Sequence, residues 1–245
     1  MRTLFTSLPT VLMAVLSSSL AMANTATYIT PSGSTTGGGA VNDQAAFTTG
    51  AGTVTIDLTN LLTAAQVNDV AQNLSDLFFT LSGTFASGLV SDANRTYSGK
   101  LIDVAAGGAV STDSGNGIPA SYNGWDFSNS GSTFLLNDLG SAAGPAQTII
   151  GGTTSTTTYP GANGSIDGNG PHNPFLQGTA HFVLTIAGVT ASTNITAATF
   201  SFGTAAGSNI PGVLQPVPEP RLGSFLLIGA MLSAAAYYRK KPSVQ

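Results

Sequence analysis

Thr53-Val54-Thr55-Ile56-Asp57-Leu58-Thr59 is the stretch that decides the fold class. Val54, Ile56 and Leu58 alternate with Thr55, Asp57 and Thr59, the period of a strand with one buried face. His181-Phe182-Val183-Leu184-Thr185-Ile186 and Ala198-Thr199-Phe200-Ser201-Phe202 alternate in the same way, and Leu77-Phe78-Phe79-Thr80-Leu81 reads as a further strand. Gly99 to Val104, Trp125 to Phe127 and Thr133 to Leu136 give weaker strand signals. Only Ala64 to Asn73 reads as a short helix, with Val67, Val70, Ala71 and Leu74 at helical spacing. Clusters of Gly, Asn, Asp, Ser and Pro separate these runs and mark turns, the longest from Gly151 to Pro174. Many short strands with Gly-rich turns predict an all-β fold, an antiparallel β-sandwich. No fixed-period repeat points to a solenoid or propeller.

Upstream of Thr53, residues 24–52 are rich in Thr, Ser and Gly and include Gly37-Gly38-Gly39. They read as a flexible entrance to a body at 53–212. With both terminal segments set aside, about 190 residues remain, enough for one sizeable core. From Asn24 to Val217 the only cations are Arg95 and Lys100 against ten Asp, a net charge of −8. Such a body has no means of neutralising a run of phosphates, which argues against nucleic-acid binding. There is no Cys, so no disulfide framework is available.

The ends read differently. Arg2 precedes an uncharged stretch, centred on Val11 to Leu16, that closes with Ala21-Met22-Ala23. A cation, an apolar run and a small-x-small site define a secretory signal peptide, residues 1–23. Cleavage is expected between Ala23 and Asn24, by signal peptidase after passage through the Sec translocon. At the other end a linker, residues 213–221, carries Pro218-Glu219-Pro220. An uncharged run from Leu222 to Tyr238 follows, with Leu222, Phe225, Leu226, Leu227, Ile228 and Leu232 as its apolar anchors. A helix of that length spans about 25 Å, near the lower limit for crossing a membrane. The tail 239–245 opens with Arg239-Lys240-Lys241, a basic stop on the cytoplasmic side. Signal peptide and basic stop agree on one C-terminal transmembrane helix with the body outside.

Pro218-Glu219-Pro220, the hydrophobic run and the basic patch together resemble the PEP-CTERM sorting domain, over roughly residues 216–241. Glu219 is the only Glu in the chain. The resemblance implies that the protein is a substrate of exosortase, a membrane-embedded cysteine transpeptidase-like enzyme. It also implies a Gram-negative-type bacterium that makes exopolysaccharide. The stretch from Asn163 to Phe175, with Phe200-Ser201-Phe202-Gly203-Thr204, resembles a recurring body type among PEP-CTERM proteins. That body type brings no established activity to particular residues.

A search for catalytic or metal constellations finds little. There is no Gly-x-Ser-x-Gly elbow and no phosphate-binding Gly-Lys loop. Gly115-Asn116-Gly117-Ile118-Pro119-Ala120 matches a dinucleotide fingerprint only on paper, since it contains Pro and lacks the following helix. His172 and His181 do not have metal-ligand spacing, and no Cys is available to complete a site. Asp113-Ser114-Gly115-Asn116-Gly117 and Asp167-Gly168-Asn169-Gly170 are either calcium loops or ordinary turns, and the turn reading is preferred. Trp125, the sole Trp, is either a core residue or, with Tyr122, a sugar-stacking face. Four Asn-x-Ser/Thr patterns begin at Asn73, Asn94, Asn163 and Asn194.

The expectation is therefore a non-enzymatic exported surface or matrix protein, with no cofactor and no metal, associated with exopolysaccharide through hydroxyl and amide groups. A discrete carbohydrate-binding module would need a localised aromatic platform. A secreted hydrolase would need two carboxylates converging in a cleft, with Asp126, Asp113 and Asp167 among the candidates.

Overall fold

The computed structural model describes residues 23–112, 124–142 and 144–216. The signal peptide up to Met22, the Pro218-Glu219-Pro220 motif, the hydrophobic run Leu222 to Tyr238 and the basic tail lie outside the described residues. So do Asp113 and Tyr122.

The first half of the chain forms β1 (Thr25–Ile29), β2 (Thr35–Thr36), β3 (Gly39–Ala40), β4 (Asp43–Gly50), β5 (Thr53–Asn60), β6 (Leu74–Leu81) and β7 (Arg95–Val104). The second half adds β8 (Val110–Thr112), β9 (Asp126–Ser130), β10 (Thr133–Asn137), β11 (Ile149–Ile150), β12 (Phe175–Thr185), β13 (Ile195–Phe202), β14 (Asn209–Pro211) and β15 (Val213–Leu214). The fold is all-β. Among the described residues all strands but β2 and β3 belong to one large sheet, and only the β11–β12 pair is parallel.

That sheet returns on itself. Its main path runs β14-β13-β6-β11-β12-β5-β4-β1-β15. The two ends of the path, β14 and β15, are separated in sequence by Gly212 alone, so one segment joins both edges. Gly212 N–H donates to Ala198 O at 2.8 Å, and Gln215 N–H to Thr27 O at 2.8 Å. A Cβ at Gly212 would stand 2.9 Å from Phe200 Cε2 and 3.3 Å from Tyr28 Cβ. Only Gly lets the segment lie this close to both neighbours. Opposite this seam the sheet forks: β10 and β9 extend from β6, whereas β7 and β8 extend from β12. Two wings thus face one another across a shared interior, one made of β6 with β13, β14, β10 and β9, the other of β12 with β5, β4, β1, β7 and β8.

The interior follows from strand parity. Successive side chains point to opposite faces, and β5 buries Val54, Ile56, Leu58 and Asn60 in turn. Aromatic rings join the wings. Phe47 of β4 meets Phe79 of β6 at a centroid distance of 5.5 Å, and Phe79 stacks on Phe134 of β10, also at 5.5 Å. A second, smaller cluster lies beneath the long turn-rich run. There Tyr159 and Ile166 pack with Leu62, Val67, Ile102, Val104 and Phe175. Tyr159 Oη donates to Gly151 O at 2.7 Å, so its one polar atom is satisfied inside.

Three sequence expectations are corrected. Residues 24–52 are not a flexible entrance: β1 and β4 lie within them and bury Ala26, Tyr28, Ala45 and Phe47. Their alternation was blurred because polar Asp43 and Thr49 occupy core-facing positions of β4. The helix over Ala64 to Asn73 is replaced by turns and one 3₁₀ turn, Val70–Gln72. Side chains there capture the backbone donors a helix would use. Gln72 Oε1 accepts from Asn68 N at 2.7 Å and Asp69 N at 3.1 Å, and Asp69 Oδ1 accepts from Ala71 N at 2.8 Å. Finally, the body does not stop at residue 212, because β15 places Val213 and Leu214 in the sheet beside β1.

Candidate functional site

The β6–β7 connection and the β12–β13 connection meet at one end of the sheet and enclose a depression of about 470 Å³. Its lining comprises residues 82–86, Leu89, 187–188, Thr190 and 192–193, and none is charged. Phe85 is half-buried there and holds an edge contact with Phe134 at 5.5 Å, interplanar angle 80°. The ring is thereby fixed by the core rather than free on the surface. Gly83 and Gly188 border it at φ +103° and +90°. A Cβ on either would lie 3.7 Å from a ring carbon, Cε2 and Cε1 respectively. Both turns favour Gly for backbone reasons, and the consequence is that no side chain covers the ring from these positions.

Neighbouring elements pin both loops. Asn129 Nδ2 donates to Ala86 O at 2.7 Å, Ser132 Oγ to Gly83 O at 2.7 Å, and Gly131 N to Ser87 Oγ at 2.9 Å. Ser82 N–H donates to Asn194 O at 2.8 Å, and Ser82 Oγ accepts from Asn194 N at 2.9 Å. Thr190 N donates to Thr193 Oγ1 at 2.9 Å, while the Thr190 and Ser192 hydroxyls lie 3.0 Å apart. The result is a preorganised, uncharged hollow with an aromatic ring in it and hydroxyl groups around it. Sequence reading passed over Phe85 because its Gly- and Ser-rich flanks carry only a turn signal. Which loops meet depends on long-range pairing that local spacing does not express.

A second cavity, about 490 Å³, lies between the end of β5, residues 152–156 and the start of β12. It is lined by Thr side chains, including Thr59 and Thr179, whose hydroxyls meet at 2.9 Å. It holds no aromatic ring.

Trp125 is not a surface platform. It is fully buried, donates from Nε1 to Gln147 O at 3.0 Å, and packs edge-on against Phe182 at 5.2 Å. Asp126 lies beside Arg95, with Asp126 Oδ1 4.0 Å from Nη2. Asp167 Oδ1 accepts from Gly108 N at 3.3 Å, and Gly168 takes φ +67°, the geometry of a turn. His172 Nδ1 contacts Ser165 O, whereas His181 Nδ1 lies 2.6 Å from Asp57 Oδ1 on the exposed face. The two histidines therefore have separate partners. Among the described residues no group of three or more His, Cys, Asp or Glu could hold a metal ion. Asn73 is fully buried and unavailable to a glycan in the folded state.

The carboxyl groups that depart most from ordinary behaviour are others. Asp43 and Asp138 are fully buried and neither has a hydrogen-bond partner at either oxygen. Burial raises both well above the usual carboxylate range, and for Asp138 the neighbouring Asp76 and Asp126 add to the effect. Burial also raises Asp76 to about 6, against backbone donors at Leu139 and Asp138 that lower it. Asp76 and Asp138 are closed to solvent, so they do not line an open cleft. No family model, no curated protein and no solved structure matches the chain.

Proposed function

We propose that the protein is an exported surface or matrix protein whose antiparallel β-sandwich body is displayed outside the cell and sorted by exosortase through its tail. The observation that carries this reading is Pro218-Glu219-Pro220, separated by Arg221 alone from the uncharged run Leu222 to Tyr238 and the basic stop Arg239-Lys240-Lys241. Two prolines fix φ and remove two backbone donors, residue chemistry that suits recognition of an extended segment. Glu219, the only Glu in the chain, supplies an acidic handle beside Arg221. The course of the chain supports the reading. After β15, Gln215 and Pro216 are exposed, so the chain leaves the body at its surface. Exopolysaccharide is the proposed partner, in keeping with a neutral-to-acidic surface rich in hydroxyl and amide groups.

The start of the body fits removal of a signal peptide. Asn24 N–H donates to Ala191 O at 3.0 Å and Asn24 Nδ2 to Asn194 Oδ1 at 2.6 Å. A free α-ammonium at Asn24 retains donors for Ala191 O. N-terminal sequencing of exported protein is expected to begin at Asn24. Recovery of mature protein that still carries Met1 to Ala23 would refute the cleavage site.

Glu219→Ala, or joint replacement of Pro218 and Pro220, is expected to block processing and leave the body's melting temperature unchanged. The variant remains anchored through Leu222 to Tyr238. Immunoblots of membrane, surface and medium fractions, in an exosortase-positive host and a strain lacking the enzyme, provide the test. Wild-type maturation of the Glu219 variant would reduce the tail to a membrane anchor.

A further inference from the structure

We propose that the hollow around Phe85 is a binding site for a neutral sugar ring, and so the place where the body grips an uncharged polysaccharide. This rests on the exported-surface reading, and it names a site and a ligand class within it. No lining residue is charged, and the body carries two cations against ten Asp. A uronate, sulfate or phosphate would find no counter-charge there and an unfavourable field around it.

What the hollow contains is the complementary half. A pyranose is apolar on its C–H faces and polar at its rim. Phe85 supplies an aromatic surface held in place by Phe134. An aromatic ring carries a negative π-face and a large apolar area, which suits C–H groups. Gly83 and Gly188 leave the ring clear of flanking side chains. Hydroxyls of Ser82, Thr84 and Thr190 stand around it, and each both donates and accepts. At about 470 Å³ the hollow lies within the size range of small-ligand sites. The hydrogen bonds that pin both loops mean that little ordering accompanies binding. The Thr-lined cavity at the end of β5 lacks a ring and is the weaker candidate.

The test is affinity electrophoresis of the full chain in a sugar-free detergent. Native gels contain dextran, hydroxyethylcellulose or galactomannan as neutral probes, and alginate as the polyuronate comparator. Retardation in at least one neutral gel, and none in alginate, is expected. Phe85→Leu keeps an apolar side chain against Phe134 but removes the ring, and should weaken retardation by roughly two- to tenfold. Phe85→Trp enlarges the surface and should retain or strengthen it, with a ligand-dependent change in its fluorescence. The effect of Trp in place of Phe separates a contact role from a merely structural one. Folding is checked for each variant by its melting profile. No retardation in any neutral gel, retardation in alginate alone, or undiminished retardation of folded Phe85→Leu would overturn the site. The sorting reading fails separately: Glu219→Ala should keep its retardation while losing processing, and Phe85→Leu should be processed like wild type.

Discussion

The full chain in detergent should melt at a higher temperature at pH 5 than at pH 8, by at least about 3 °C. Burial raises Asp76 to about 6 in the folded state, against an ordinary carboxyl value of 3.8. Between these values the native state holds a proton that the unfolded chain has released. The unfolded state therefore binds fewer protons, and stability falls as pH rises through the window. A shift of this size is worth roughly 3 kcal/mol over the whole interval, and about half of that falls between pH 5 and 8. For a body of this length, 1 kcal/mol moves the melting temperature by about 2–4 °C. Asp43 and Asp138 are raised in the same direction and add to the trend. Asp138→Asn removes a buried carboxyl whose two oxygens lack partners, and should flatten the pH dependence and raise stability at pH 8. Thermal melts of wild type and variant across pH 5 to 8 provide the check. A melting temperature that climbs toward pH 8 would show that these carboxyls are ionised and compensated in the native state.

These same residues mark where local reading of the chain fails. Strand stretches at 53–59, 77–81 and 198–202 are legible in the sequence because their core positions hold Val, Ile, Leu and Phe. In β4 the core positions run Asp43, Ala45, Phe47 and Thr49, and two polar members break the pattern. Val67, Val70 and Leu74 misled in the other direction. Their helical spacing arises because Val67 and Val70 enter the small cluster around Tyr159, whereas Leu74 enters the main core. One periodicity therefore served two separate cores.

The candidate site was illegible for a related reason. Trp125 is the sole Trp and takes the core position its type favours, but aromatic content alone does not reveal which ring the fold leaves accessible. Trp125 is closed off at φ +62° beneath its own core contacts, and Phe85 stays half-buried between two glycine turns from distant parts of the chain. The pairing of residue 82 with residue 194 brings those turns together.

Phe79→Ala should lower stability by roughly 3–5 kcal/mol, the usual range for truncating a buried aromatic. Phe79 is 1% exposed and sits where the two wings meet. Its ring lies 5.5 Å from Phe47 of one wing and 5.5 Å from Phe134 of its own. Truncation opens a cavity that neither partner fills readily. Phe47 is held edge-on by Tyr28, at 6.1 Å and 89°, and Phe134 edge-on by Phe85 and stacked on Phe127. Against a total stability of about 5–15 kcal/mol, the loss is a large fraction. At about 2–4 °C per kcal/mol the melting temperature should fall by roughly 6–20 °C. Phe78, one residue earlier, is half-buried on the opposite face of β6. Phe78→Ala removes the same atoms from a site that collapses toward solvent, and should lose no more than about 1 kcal/mol. Urea melts of the two variants, compared at equal slope, separate burial from residue type. Equal midpoints would mean that the wings are not joined through Phe79. Because Phe134 also braces Phe85, Phe79→Ala should loosen the aromatic hollow as well, weakening retardation in the neutral gels before the body unfolds.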